Sequence, residues 1–131
     1  MLHHIEIYVS NLAKSRTFYH FLLPKLGYHL YQDWAQGFSF KKAEQYLVFV
    51  QVKDEYADQV YHRCHSGLNH LAFYGGSRKD VQALKDQLVN QAVPMLYEDT
   101  YPYAGGSTHF AFYCEDPDRI KIEIIAEENN D

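Results

Sequence analysis

His4-Ile-Glu-Ile-Tyr-Val9 and His70-Leu-Ala-Phe-Tyr74 are two versions of one pattern, and their relation decides the fold. Each opens on a histidine, alternates along a short strand and runs into a helix-start signal. An offset of 66 residues (70 minus 4) lays His4 on His70, Ile5 on Leu71, Ile7 on Phe73, Tyr8 on Tyr74 and Phe18 on Leu84. Repetition of this kind implies two related supersecondary units in one chain, with their histidines at equivalent positions.

The segments that follow each strand extend the repeat. After Val9, Ser10 and Asn11 are good helix N-caps, and Leu12, Tyr19, Leu22 and Leu23 recur at near-helical spacing. A helix to about Leu23, stopped by Pro24, is predicted. Tyr28–Trp34, Phe38–Lys42 and Tyr46–Val52 read as strands, separated by Gly37 and the polar stretch 43–45. In the second half, Gly75-Gly76 breaks the strand and Ser77-x-x-Asp80 forms a capping-box-like start with Asp in place of Glu. Val81, Leu84 and Leu88 mark the buried stripe of a second helix, and strands are expected at about 95–98, 109–114 and 120–126. The fold class expected is α+β, two βαβββ modules pairing into a cupped mixed sheet within a single domain. Module one covers about 1–52, a linker about 53–67, module two about 68–126, and an acidic tail 127–131.

Composition narrows the possible partners. The chain has 131 residues, 47% hydrophobic and 22% charged, enough for one core. No apolar run approaches the ~20 residues of a membrane span, so no membrane partner is expected. The formal net charge is −5 and the twelve Lys and Arg are scattered, which provides no basic footprint for nucleic acid. Cys64 and Cys114 lack the spacing of a disulfide framework or a thiolate zinc site. The start, Met-Leu-His-His-Ile-Glu, enters strand alternation without a basic-then-apolar leader, so cytoplasmic residence is expected.

Strand parity then sorts the side chains. Ile5, Ile7 and Val9 share the face that wants a helix, which leaves His4, Glu6 and Tyr8 on the other. Leu71 and Phe73 likewise oppose His70, Ala72 and Tyr74. In the last strand, Ile120, Ile122 and Ile124 form an apolar face, and Glu123 joins the histidines' side. A carboxylate in the middle of such a strand is costly to bury without a proton, a cation or a metal. Two imidazoles and one carboxylate on one face make a three-ligand metal site with open positions, although a histidine at a strand end is more often surface or hydrogen-bonded core.

The stretches Leu2–Tyr19, Gly67–Phe73 and Asp116-Pro-Asp-Arg-Ile-Lys-Ile-Glu123 together resemble the vicinal-oxygen-chelate superfamily, which includes glyoxalase I, fosfomycin- and bleomycin-resistance proteins and extradiol dioxygenases. The resemblance spans nearly the whole chain. It implies a site holding a divalent metal, with His4, His70 and Glu123 at the ligand positions. Glyoxalase I-like sites take a further ligand from the last strand of the first half; here that strand offers no carboxylate, only Gln51 as a weak candidate, so a three-ligand site is favoured. Tyr113-Cys-Glu-Asp-Pro117 ahead of Glu123 matches part of the extradiol signature, but Arg119 stands where that signature has Gly or Pro. His109 lies too close to Tyr113 for the signature's upstream histidine.

The resemblance therefore implies a metal-dependent enzyme acting on a small oxygen-chelating substrate, lyase or isomerase chemistry ranking above oxygenase chemistry. Fe, Mn, Ni, Co and Zn all suit two histidines and a carboxylate. Glu6 and Tyr113 are the candidates for moving a proton, with a hydrogen bond to Tyr or Arg the plainer account of Glu6. The alternative is a metal-free binding protein of the bleomycin-resistance type, whose net negative charge would suit a cationic ligand. His109, Tyr113, Tyr8 and Tyr74 face a common side if the strands are regular, as cavity lining or as core. His62 and His65 sit in the linker, where an H-x-x-H metal pair is not expected, and His3, His20 and His29 read as exposed or hydrogen-bonded. Arg119 reads as a surface residue in a tight turn. A homodimer is expected because open modules leave strand edges to cover.

Overall fold

The computed structural model describes residues 1–127 and divides into two units, Met1–Val60 and a second beginning at Tyr61. Each unit is one βαβββ module, as the repeat predicts. The first holds β1 (His4–Val9), α1 (Leu12–Lys25), β2 (His29–Trp34), β3 (Gly37–Lys42) and β4 (Gln45–Gln51). The second holds β5 (His70–Tyr74), α2 (Arg78–Asn90), β6 (Met95–Leu96), β7 (Ala111–Glu115) and β8 (Lys121–Ile125). The tail beyond Glu127 lies outside the described residues.

Each module carries its own four-stranded mixed sheet. The orders are β1-β4-β3-β2 and β5-β8-β7-β6. In both, the first strand pairs in parallel with the last, and the remaining neighbours are antiparallel. The parallel pairing requires a long crossover, which the helix and two intervening strands supply.

Apolar alternation fixes which face each helix covers. In module one, Tyr19, Leu22 and Leu23 of α1 are fully buried with Phe38 and Phe49, and Tyr19 stacks on Phe49 at 4.0 Å between ring centres. In module two, Val81, Leu84 and Leu88 of α2 are buried, as are Phe112, Cys114, Ile122 and Ile124 of the sheet. Burying each such Leu or Ile contributes roughly 1.5–3 kcal/mol.

The helix ends show where local rules compete. Asn11 Oδ1 accepts from Lys14 N at 3.1 Å. Ser77 and Asp80 complete the predicted capping box, each side chain accepting from the other's backbone N–H. Pro24, however, does not stop α1. It lies in the last turn, where its missing N–H costs one bond, and the chain leaves the helix only at Gly27, which has φ +90° and lets Tyr28 N reach Leu23 O at 3.0 Å. Two strands are also shorter than expected. Tyr97 turns out of the extended region at φ 60°, ending β6 after Leu96, and His109 N bonds to Gly106 O in a turn, so β7 begins at Ala111. The linker contains a single 3-10 turn, Asp54–Tyr56.

Candidate active site

Glu123 is the centre of module two's open face. It lies on β8 between Ile122 and Ile124, which point into the core, and is itself 5% exposed. Pairing puts Ala72 of β5 on one side of it and Tyr113 of β7 on the other. The small Ala72 leaves the carboxylate accessible to longer side chains on either side.

Three protein groups converge on this carboxylate. His70 Nε2 lies 3.0 Å from Oε1, while Tyr113 donates its hydroxyl to Oε2 at 3.0 Å and His109 Nε2 also contacts Oε2. His70 Nδ1 sits 2.7 Å from Asn69 Oδ1. Because the amide oxygen only accepts, Nδ1 carries the proton, and a neutral His70 then presents the lone pair of Nε2 to Oε1. Two acceptors at that separation need a proton or a cation between them. That is the arrangement in which an outer hydrogen bond fixes the tautomer of a metal-binding histidine.

Tyr113 is only 9% exposed. Burial first, and then the charge of Glu123 beside it, push its phenol up to about 12. At neutral pH Tyr113 is therefore a hydrogen-bond donor that holds Glu123, and not a base. His109 reaches the same oxygen from the turn ahead of β7. A Cβ placed on Gly105 would come within 2.6 Å of His109 Cδ2 and 2.8 Å of the Tyr113 hydroxyl, so any larger residue would displace these two side chains from their places at the site.

Module one's open face carries His4, Glu6 and Tyr8, all exposed. His4 Nδ1 is 2.8 Å from His3 Nδ1, and its ring stacks on Tyr46 with centres 4.7 Å apart and planes 5° from parallel. Gln51 is committed elsewhere: Oε1 accepts from Leu12 N and Nε2 donates to Ser10 O, both at 2.9 Å. It pairs with Val9 and so lies on the helix side of the sheet, away from His4. Gln51 is a brace at the start of α1.

The structure thus brings together His70, Glu123 and Tyr113 within module two and places His4 and Glu6 on module one. The contributions of His109 and Asn69 exceed what the sequence analysis assigned. His109 was expected within a strand; Asn69 stands beside His70 in the quoted Gly67–Phe73 stretch. Among the described residues no group of three or more His, Cys, Asp or Glu is arranged to hold a metal ion. The donor chemistry of His70 Nε2 and Glu123 Oε1 nevertheless fits two ligands of a divalent ion.

The remaining candidates have local partners. His62 Nδ1 accepts from Cys64 N at 3.0 Å within a turn. Arg119 Nε and Arg63 both bind Glu115 Oε2, at 3.2 and 2.7 Å. Cys64 is exposed, whereas burial pushes the Cys114 thiol up to about 12, leaving it unreactive.

Comparison with known proteins agrees with this architecture. The family model described as Glyoxalase/Bleomycin resistance protein/Dioxygenase superfamily matches residues 1–124. The uncharacterized protein YqjT of Bacillus subtilis (strain 168) is 49% identical over 125 residues, covering 95% of this chain and 98% of its own. A crystal structure of a candidate glyoxalase from Bacillus halodurans is 50% identical with a TM-score of 0.95, over 97% of this chain and 96% of that one. The fosfomycin resistance protein FosX from Listeria monocytogenes, 21% identical with a TM-score of 0.71 over 97% and 93% of the two chains, shares the fold. No helix among the described residues is long and apolar enough to cross a membrane.

Proposed function

The chain belongs to the Glyoxalase/Bleomycin resistance protein/Dioxygenase superfamily, and from that premise we propose that it is a metal-dependent enzyme of lyase or isomerase type acting on a small oxygen-chelating substrate. The observation that carries this reading is the buried carboxylate of Glu123 lying 3.0 Å from Nε2 of His70, whose other nitrogen is held by Asn69. His70 and Glu123 supply two ligands in this proposal, and His4 supplies the third. A bound divalent ion, Fe, Mn, Ni, Co or Zn, would act as a Lewis acid toward adjacent substrate oxygens.

The chain's own groups divide the rest of the work. Asn69 fixes the His70 tautomer. Tyr113 and His109 hold the second oxygen of Glu123, leaving Oε1 turned toward His70. Tyr113 stays protonated across the physiological range, so the base role falls to Glu6, the exposed carboxylate two residues from His4 on the same strand face. We assign the protein to the cytoplasm and to a homodimer; β2 supports the latter as an edge strand exposed along its whole length.

Metal content per monomer, measured on protein purified without affinity tag or chelator and repeated for Glu123→Gln, tests the proposal. Near-stoichiometric metal that disappears in the variant is expected. A wild-type protein that is empty and takes up none of the added ions overturns it. One observation favours a second reading, a metal-free binding protein: Glu123 already bonds to His70, His109 and Tyr113 through protein atoms alone. In that case a chelator leaves ligand affinity unchanged.

A further inference from the structure

Lys121 is an ammonium without a counter-ion among the described residues, on the open face that carries Glu123. It precedes Glu123 by two residues on β8, so the two side chains leave the same side of the sheet about 6.6 Å apart along the strand. Its cross-strand partner in β7 is Glu115, the obvious carboxylate for it. Glu115 is engaged elsewhere, however, with Oε2 bound by Arg63 at 2.7 Å and Arg119 at 3.2 Å. Among the described residues no carboxylate pairs with Lys121.

The ammonium is held by neutral groups instead. Nζ donates to the Tyr97 hydroxyl at 3.2 Å and lies 5.4 and 5.9 Å from the ring centres of Tyr97 and Tyr113. Tyr97 reaches this position only by adopting φ 60°, an unfavourable conformation for a bulky residue and the one that ends β6. The two rings meet edge to face with centres 5.1 Å apart, which fixes the cradle to the tyrosine that binds Glu123. Weak cation–π contacts orient a charge without neutralising it, so its field remains available to a ligand.

We infer that Lys121 is a specificity-determining residue that receives an anionic group of the substrate, so that the substrate class is a small vicinal-oxygen compound bearing a carboxylate. This rests on the proposed function for its chelating half only. The cationic ligand that the overall charge would suit is disfavoured at this corner by the same residues.

The test is calorimetric binding of 3,4-dihydroxybenzoate and its neutral isostere 3,4-dihydroxybenzamide, each measured with and without added Mn2+. Wild-type protein is expected to prefer the carboxylate about tenfold in both conditions, the scale of one hydrogen bond to a charged group. Lys121→Met, which keeps the apolar stem, should abolish the preference without lowering the melting temperature, and Lys121→Arg should restore most of it. Equal binding of the two probes by the wild type, binding of neither, or a preference that survives Lys121→Met overturns the inference. The proposed function is read separately: if Mn2+ strengthens neither probe, the metal reading fails while the carboxylate preference still decides the role of Lys121.

Discussion

Modules one and two share a topology and differ at the positions where the last strand meets its neighbours. Val48 of β4 holds the place that Glu123 holds in β8, pairing with Glu6 where Glu123 pairs with Ala72. Ser39 stands opposite Val48 as Tyr113 stands opposite Glu123. In module one the middle of the sheet is closed by a valine and a buried serine whose Oγ contacts Gln32 Oε1 at 3.0 Å. In module two the same point carries a buried carboxylate with three partners. At this point of the sheet one architecture therefore carries simple packing in module one and a polar cluster in module two, and the difference lies in the side chains around one strand.

The most severe way to break this comparison is to put module two's carboxylate into module one. Val48→Glu places a charge at a position that is 4% exposed, beside the carboxylate of Glu6 and with Ser39 where module two has Tyr113, while His4, the counterpart of His70, is stacked on Tyr46. The expected loss is about 3–5 kcal/mol, the scale of an uncompensated buried charge. Urea denaturation measures it. A loss below about 1 kcal/mol would mean that the partners around Glu123 are not what makes its burial tolerable.

A gentler change acts on module two itself. Tyr113→Phe removes one of the two groups on Glu123 Oε2 and keeps the ring against Tyr97. Leaving a buried acceptor short of a donor costs about 1–3 kcal/mol. His109 remains on that oxygen, so the lower part of the range is expected. If Tyr113→Phe proves neutral in urea denaturation, His109 alone suffices to hold the carboxylate.

Much of this was legible in the sequence because strand parity is strict. A period of two sets His70, Tyr113 and Glu123 opposite the apolar residues of their own strands, so once those apolar residues face the helix the three share the other face. Where the chain leaves a strand was not legible. Tyr97 and His109 both lay within expected strands; each instead sits in a turn that aims its side chain at the site from outside the sheet. Pro24 misled in the opposite sense, because a proline near a helix end costs only one bond and a glycine three residues later makes the actual exit. Gln51 had the right strand for a ligand but the wrong parity, a distinction the sequence did contain.

The finest comparison between the modules is their response to pH. In module two, Tyr113 is pushed from 10.0 up to about 12 and Cys114 from 9.0 up to about 12, each chiefly by burial. Between the ordinary and the shifted value, the native chain keeps a proton that the unfolded chain has lost, so stability falls as pH rises. This contribution is intact below pH 9 and disappears progressively toward 12. In module one, burial and then the Arg16 charge lower His20 from 6.5, so the unfolded chain takes up the proton first and stability declines as pH falls below that value. Because the His20 side chain is exposed, the acid limb should be the shallower one. Denaturant midpoints followed from pH 5 to 11 should show a decline above pH 9 that flattens in Tyr113→Phe and flattens further when Cys114→Ala is added. An alkaline limb unchanged by both substitutions would place its origin outside module two's sheet.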